Sequence, residues 1–391
     1  MNEKFIFSFV EQAKSIFGDD FIPLHRPVFE GNEKQYLIDC IDSNFVSSVG
    51  TKVVEFEEKV AKFTGAKHAV ACVNGTAALH VAIQLGGVKP GDEVISQSLT
   101  FIATCNAISY AGAKPIFIDV DIDTMGLSPS ALEIFLEENV EKRPEGAFNK
   151  LTGKRISACI PMHTFGFPCR ISEIAEICAS WDIVLIEDAA ESLGSFSNGI
   201  HTGNYASMAT LSFNGNKVIT TGGGGMIITN DSDLAKKAKH ITTTSKVPHA
   251  YEFVHDEIGY NYRMPNLNAA IGCAQMEQLD KFLIIKTQLA NQWGEFFSQR
   301  GINFFKALDG NTANHWLNAI ILDSKGDRDD FLKSTNSQNV MTRPIWTLMS
   351  KLPMFRDCQT DGLSNSIWLE DRVVNIPSSV PNNMIKKPYN N

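Results

Sequence analysis

From about residue 67 the chain alternates short, almost wholly apolar runs with longer runs whose apolar residues recur at helical spacing. KHAVACV (67–73) reads as a strand and TAALHVAIQLGG (76–87) as a helix with one apolar face. EVISQ reads as a strand, FIATCNAISYAGA as an apolar helix, and PIFIDV as a further strand. In SPSALEIFLEE, Ser128 is a good helix N-cap and Pro129 suits the first helical position. ISACIP, ISEIAEICASW and IVLIE repeat the strand–helix–strand order. Apolar strands alternating with helices predict a mostly parallel sheet covered on both faces. This large α/β domain is expected over residues 25–262, behind a helical segment at 1–24. PNLNAAIGCAQMEQLDKFLIIKTQLANQWGEFF (265–297) reads as one long helical stretch. It opens a smaller α/β domain over 263–391, with NHWLNAIIL (314–322) as a strand. The polar, charge-rich segment 136–155 reads as an exposed insertion.

Composition narrows the classes. A chain of 391 residues exceeds what one small core organises, which agrees with two domains. A formal net charge of -9 argues against a nucleic-acid partner, which needs clustered Lys and Arg. The eight cysteines contain no Cys-x-x-Cys pair, so no zinc or thioredoxin-like site is expected. Several lie in apolar runs and read as buried thiols of a reducing compartment. FIFSFV near the start lacks a basic leader and a cleavage site, and no uncharged run approaches bilayer length. A cytoplasmic protein without a membrane span is expected.

Four stretches carry candidate chemistry. Asn74-Gly75-Thr76-Ala77 joins a strand to a helix, a geometry that suits a phosphate, though Gly-Thr turns also end strands for structural reasons. In IVLIEDAAES (183–192), Glu187 and Asp188 follow an apolar strand, where open α/β sheets place their sites; a helix N-cap is the alternative. In LSFNGNKVITTGGGGM (211–226), Lys217 sits between a β-like run and four glycines. A desolvated lysine in such a turn can lose its proton and attack a carbonyl. The GxxxxGK[ST] spacing of a P-loop is absent. In GYNYRMPNLNAA (259–270), Arg263 is either a carboxylate clamp or a structural ion-pair partner, with Asn261 beside it.

These blocks, with VSSVGTKVVEFEEKVAKFTGAKHAVACVNGTAALHVAI and PGDEVISQSLTFIATCNAISYAGAKPIFIDVD, resemble the DegT/StrS-type sugar aminotransferases, fold-type I enzymes that use pyridoxal 5'-phosphate (PLP). The resemblance covers roughly residues 22 to 380. It implies that Lys217 bonds covalently to PLP and then shuttles a proton, and that Asp188 pairs with the pyridine nitrogen. It further implies Phe101 stacked on the cofactor, Gly75, Thr76, Ala77 and Ser212 at its phosphate, and Glu191 near the ring hydroxyl. Asn261 would reach the phosphate of a neighbouring subunit, making a homodimer obligatory, and Arg263 would clamp the amino donor's carboxylate. His163, in PMHTFG, is either a pocket residue or a structural histidine. No metal is implied.

The insertion at 136–155 and MTRPIWTLMSKLPMF (341–355) resemble the branch linked to bacillosamine and legionaminic acid pathways, with Arg343 and Trp346 on the sugar-nucleotide side. The implied reaction moves the amino group of L-glutamate, released as 2-oxoglutarate, to C4 of a UDP-linked 2-acetamido-4-keto-6-deoxy sugar for cell-surface glycan or O-antigen synthesis. The alternatives are a C3 ketosugar, a GDP-4-keto-6-deoxymannose (perosamine-type) acceptor, or a non-catalytic homologue. The related dehydratases carry histidine where this chain has Lys217.

Overall fold

The computed structural model describes residues 3–385; Met1, Asn2 and 386–391, at the two ends of the expected domain division, lie outside the described residues. The central sheet runs in the order His68–Cys72, Gly225–Thr229, Met208–Ser212, Val184–Asp188, Arg155–Ile160, Glu93–Gln97, Lys114–Ile118. The last five strands are parallel neighbours. Gly225–Thr229 is antiparallel to both of its partners, so the sheet is mixed, with a parallel block of five strands as expected.

The apolar runs are buried on both faces because side chains alternate along a strand. On Gly225–Thr229, Ile227 packs with Val70, Ala78, Ile108 and Ala238 on one side. Met226 and Ile228 face Phe56, Ala269 and Cys273 on the other. The helix Gly75–Leu85 begins where Asn74 Oδ1 accepts the N–H of Ala77 at 2.8 Å.

Two expectations are corrected. Segment 136–155 forms a hairpin, Val140–Arg143 with Gly146–Asn149, that joins the sheet through Arg155–Ile160. Its charges from Glu137 to Lys154 are on exposed positions, whereas Arg155 is half-buried and Asn149 is buried and donates to Glu93 at 2.7 Å. The stretch 265–297 is two helices, Asn266–Met276 and Leu279–Ser298. At the break, Glu277 is held by Asn32 and Tyr36, both at 2.8 Å, and Lys59 at 3.0 Å; tertiary bonds there outweigh helix propensity.

A second, antiparallel sheet has the order Asn303–Phe304, Asn318–Ile321, Val373–Ile376, Arg343–Pro344. Its outer face, Ile320, Val374 and Ile376, packs under Phe9 of the N-terminal helix Glu3–Phe17 and Trp293 of Leu279–Ser298. Its inner face, Ala319, Ile321 and Val373, continues the main core. No helix among the described residues is long and apolar enough to cross a membrane. All eight cysteines are free and buried.

Candidate active site

A cavity of about 680 Å³ opens between the large sheet and the inner face of the small one. Three strand ends supply its floor. Asp188 closes Val184–Asp188, Ser212 closes Met208–Ser212, and Gly225 pairs with Ser212 in register. A Cβ on Gly225 would lie 2.3 Å from the Asn74 carbonyl, and one on Gly75 would lie 3.2 Å from Ser212 Cβ. Glycine at both positions is what lets the helix Gly75–Leu85 start against the strand ends. Gly75, Thr76 and Ser212 therefore line the cavity together, beside the positive end of that helix. Ala77 does not line it: its N–H is committed to the Asn74 cap.

Asp188 is 2% exposed, accepts from Thr104 Oγ1 at 2.6 Å and from Ala190 N–H at 3.2 Å. Burial raises its pKa, against the pull of those two bonds and of the Lys217 and His163 charges. No cation bonds it directly among the described residues, so the carboxylate is suited to a proton-bearing ligand nitrogen. Turns follow it, not a helix, so the N-cap reading does not hold.

The preceding residue points behind the sheet. Glu187 accepts from the N–H groups of Gly203 (2.7 Å), Tyr205 and Ala206 (2.9 Å each). It also lies 2.9 Å from His163 Nε2. His163 is fully buried there and does not line the cavity, so of its two readings the pocket one is set aside and the structural one kept. Strand alternation is the reason: with Asp188 at the front, Glu187 and its partner are at the back.

Lys217 Nζ stands 3.3 Å from Glu191 Oε1 and 3.7 Å from the centroid of the Trp316 ring. The indole is fixed by a 2.6 Å bond from its Nε1 to the Asn216 carbonyl. Glu191 also accepts the Phe165 N–H at 2.8 Å. Burial pushes the Glu191 pKa up to about 7, opposed by the Lys217 charge. Phe101 sits at the N-terminus of the helix Ile102–Tyr110 and is 47% exposed, a large apolar surface open to the cavity. Its ring meets Trp346 edge-on at 6.2 Å, and Trp346 in turn packs on Phe165 at 4.9 Å.

Arg343 and Trp346 line the opposite wall. Asn261 and Arg263 do not reach this cavity within one chain; Arg263 Nε and Nη2 both donate to Asn261 Oδ1 at 3.1 Å. Sequence reasoning missed Trp316 and Asn375. The first lay within a run read only as a strand. The second had one signal, an asparagine inside the apolar run VVNI.

The sequence profile of the DegT/DnrJ/EryC1/StrS aminotransferase family matches residues 27–384. GDP-perosamine synthase of Caulobacter vibrioides is 36% identical over 346 residues, 88% of this chain and 89% of that protein. Spore coat polysaccharide biosynthesis protein SpsC of Bacillus subtilis is 31% identical over 288 residues, 71% of this chain and 70% of that protein. A solved DegT DnrJ EryC1 StrS aminotransferase from Brucella abortus has the same fold. Its TM-score is 0.81, with 89% of this chain and 90% of that one covered at 24% identity.

Proposed function

We propose, from the premise that this chain belongs to the DegT/DnrJ/EryC1/StrS aminotransferase family and is a PLP-dependent sugar-nucleotide aminotransferase, that Lys217 is its covalent catalytic residue. The observation that carries this is the convergence of Lys217, Asp188 and the helix start at Gly75–Thr76 on one cavity.

The residues fit the cofactor. Gly75, Thr76 and Ser212 would hold the phosphate at the helix N-terminus. Asp188, buried and short of a cation, would hold a proton on the ring nitrogen, with the Thr104 hydroxyl fixing the carboxylate. Phe101 would cover one ring face, and Lys217 would hold the carbonyl carbon through Nζ. When bound, PLP supplies an electrophilic carbonyl and an electron-accepting ring. Lys217 Nζ then moves the proton at the α-carbon of the amino donor, and later at the carbon that receives the amine. Glu191 keeps that amine oriented, and the Trp316 face limits where it can swing.

The donor in this reading is L-glutamate, and the acceptor is the C4 ketone of a nucleotide-linked 4-keto-6-deoxy sugar. Arg343 at the cavity rim suits the diphosphate. A UDP-linked 2-acetamido sugar is one acceptor. A GDP-linked 4-keto-6-deoxymannose is the second, favoured by the likeness to a GDP-perosamine synthase. A homodimer in which Asn261 and Arg263 come from a second copy accounts for their distance from the cavity. The exposed apolar residues Ile38, Ile41, Phe45, Val46, Val49 and Val54 offer a face for it.

The test is the visible spectrum of the purified holoenzyme before and after L-glutamate. The expected result is a yellow band that glutamate bleaches and that a UDP- or GDP-linked 4-keto sugar restores. Lys217→Ala should lose at least about 10,000-fold in turnover and never fix PLP covalently on borohydride treatment. A Lys217→Ala protein that still transaminates at near the native rate sinks the assignment.

A further inference from the structure

The cavity wall built by the small sheet holds one buried polar side chain among the described residues, and nothing in the fold uses it. Asn375 lies on the strand Val373–Ile376, between Ala319 on one neighbouring strand and Arg343 on the other. Along this strand the faces alternate. Val374 and Ile376 point to the outer core under Phe9 and Trp293. Val373 belongs to the inner core. Asn375 shares the inner face with Val373 and lines the cavity with Leu317, Ile345 and Trp346. It is 2% exposed, and its Nδ2 has no hydrogen-bond partner. A buried donor left unmade is destabilising, and most such groups in folded proteins are satisfied by something. Asn375 itself borders the cavity.

We propose that Asn375 is a specificity-determining residue that pairs with an acylamino group on the acceptor sugar. This rests on the aminotransferase reading above and deepens it to the substituent recognised. The chemistry favours an amide partner. A side-chain carboxamide offers a donor and an acceptor in one plane, so a substrate amide can meet it with its carbonyl on Nδ2 and its N–H on Oδ1. The acyl methyl then falls against Leu317, Ile345 and Trp346, which a bare hydroxyl leaves uncovered. The cationic side chain of this wall, Arg343, is exposed at the rim, across the strand pair from Asn375, which leaves the buried position itself to a neutral group.

The experiment compares two acceptors that differ only at this substituent: UDP-linked 2-acetamido-4-keto-6-deoxyglucose and its 2-hydroxy counterpart. The holoenzyme is first converted with L-glutamate, and kcat/KM is then measured for each sugar in wild type, Asn375→Leu and Asn375→Asp. PLP uptake and Tm serve as folding checks, and Asn375→Leu should keep or raise Tm because it removes an unpaired buried donor. Wild type should prefer the acetamido sugar, and both variants should lower that preference by about 10- to 100-fold. A preference that stays within about twofold of wild type in both variants overturns the role of Asn375 and leaves the aminotransferase reading standing. So does a wild type that favours the hydroxy sugar. A wild type that is bleached by glutamate yet accepts neither UDP sugar overturns this inference, and only failure with the GDP-linked 4-keto sugar as well removes the sugar-acceptor reading.

Discussion

Glu187 and Asp188 are adjacent on one strand, both buried, and in opposite circumstances. Behind the sheet, Glu187 is surrounded by three backbone N–H groups and an imidazole, so its charge is fully met by the protein. In front, Asp188 has one hydroxyl and one turn N–H, and its pKa is raised by burial. The contrast separates structure from function more sharply than burial does. A saturated acid holds the segment 203–206 in place; an under-met acid has acceptor capacity left for a ligand. Lysines repeat the pattern. Lys286, fully buried, spends its protons on the carbonyls of Ser378 (2.6 Å) and Trp316 (3.3 Å) and braces the loop that carries the indole. Lys217 has only Glu191 and an aromatic face.

Removing each acid's charge tests the contrast most strongly. Asp188→Asn should cost about 100- to 1,000-fold in kcat with little change in Tm, the range seen when one electrostatic partner of a reacting centre is removed. Glu187→Gln should do the reverse. Three donors lose a carboxylate, and the loss is about 2–4 kcal/mol in urea unfolding, with turnover of the folded fraction near native. If Glu187→Gln hits kcat and spares stability, the division between the two acids is wrong.

A smaller effect distinguishes the lysines. Burial pulls the Lys286 pKa down to about 7, well below its unfolded value, so between those pH values the unfolded chain binds more protons. The contribution of Lys286 to stability should therefore rise with pH above 7, by about 2 kcal/mol between pH 7 and 9. His315, held down to about 4, and His25, held well below the ordinary value, are both neutral over that range and add no slope, whereas His163, raised to about 10 against its burial by Cys169 and Glu187, adds an opposite slope. The difference in unfolding free energy between wild type and Lys286→Met, in which the His163 contribution cancels, should show the rise. The smallest effect is at Glu191, raised to about 7. The glutamate half-reaction should show an inflection near pH 7 that Glu191→Gln erases, with only a few-fold change in rate.

Much of the large-sheet side was legible because its chemistry is local. Asp188, Ser212 and Lys217 each follow an apolar run, and of the glycines at 222–225, read as a sign of close backbone packing, Gly224 and Gly225 are tightly packed while Gly222 and Gly223 have open space. What failed were statements about direction. His163 follows a strand as Asp188 does, yet its side chain turns to the back of the sheet, and a run of letters does not say which way a residue leaves a strand. The amide of Ala77, placed at the phosphate by the family resemblance, is occupied by the Asn74 side chain. The opposite wall was hard to read for another reason. Trp316, Arg343, Trp346 and Asn375 are single residues from three separated segments, and only the antiparallel pairing of the small sheet brings them together. The hairpin at 140–149 hid behind its exposed charges.

Burial of all eight thiols gives the molecule a built-in clock. The thiolate is the reactive form, and burial pushes Cys72 and Cys273 up to about 12, so an alkylating reagent meets almost no nucleophile while the fold is closed. Each modification event then records an opening. Because Cys72 and Cys273 sit in the large-sheet layers and Cys358 near the contact between Phe117 and Phe355, the order in which they react ranks how readily different parts of the molecule come apart.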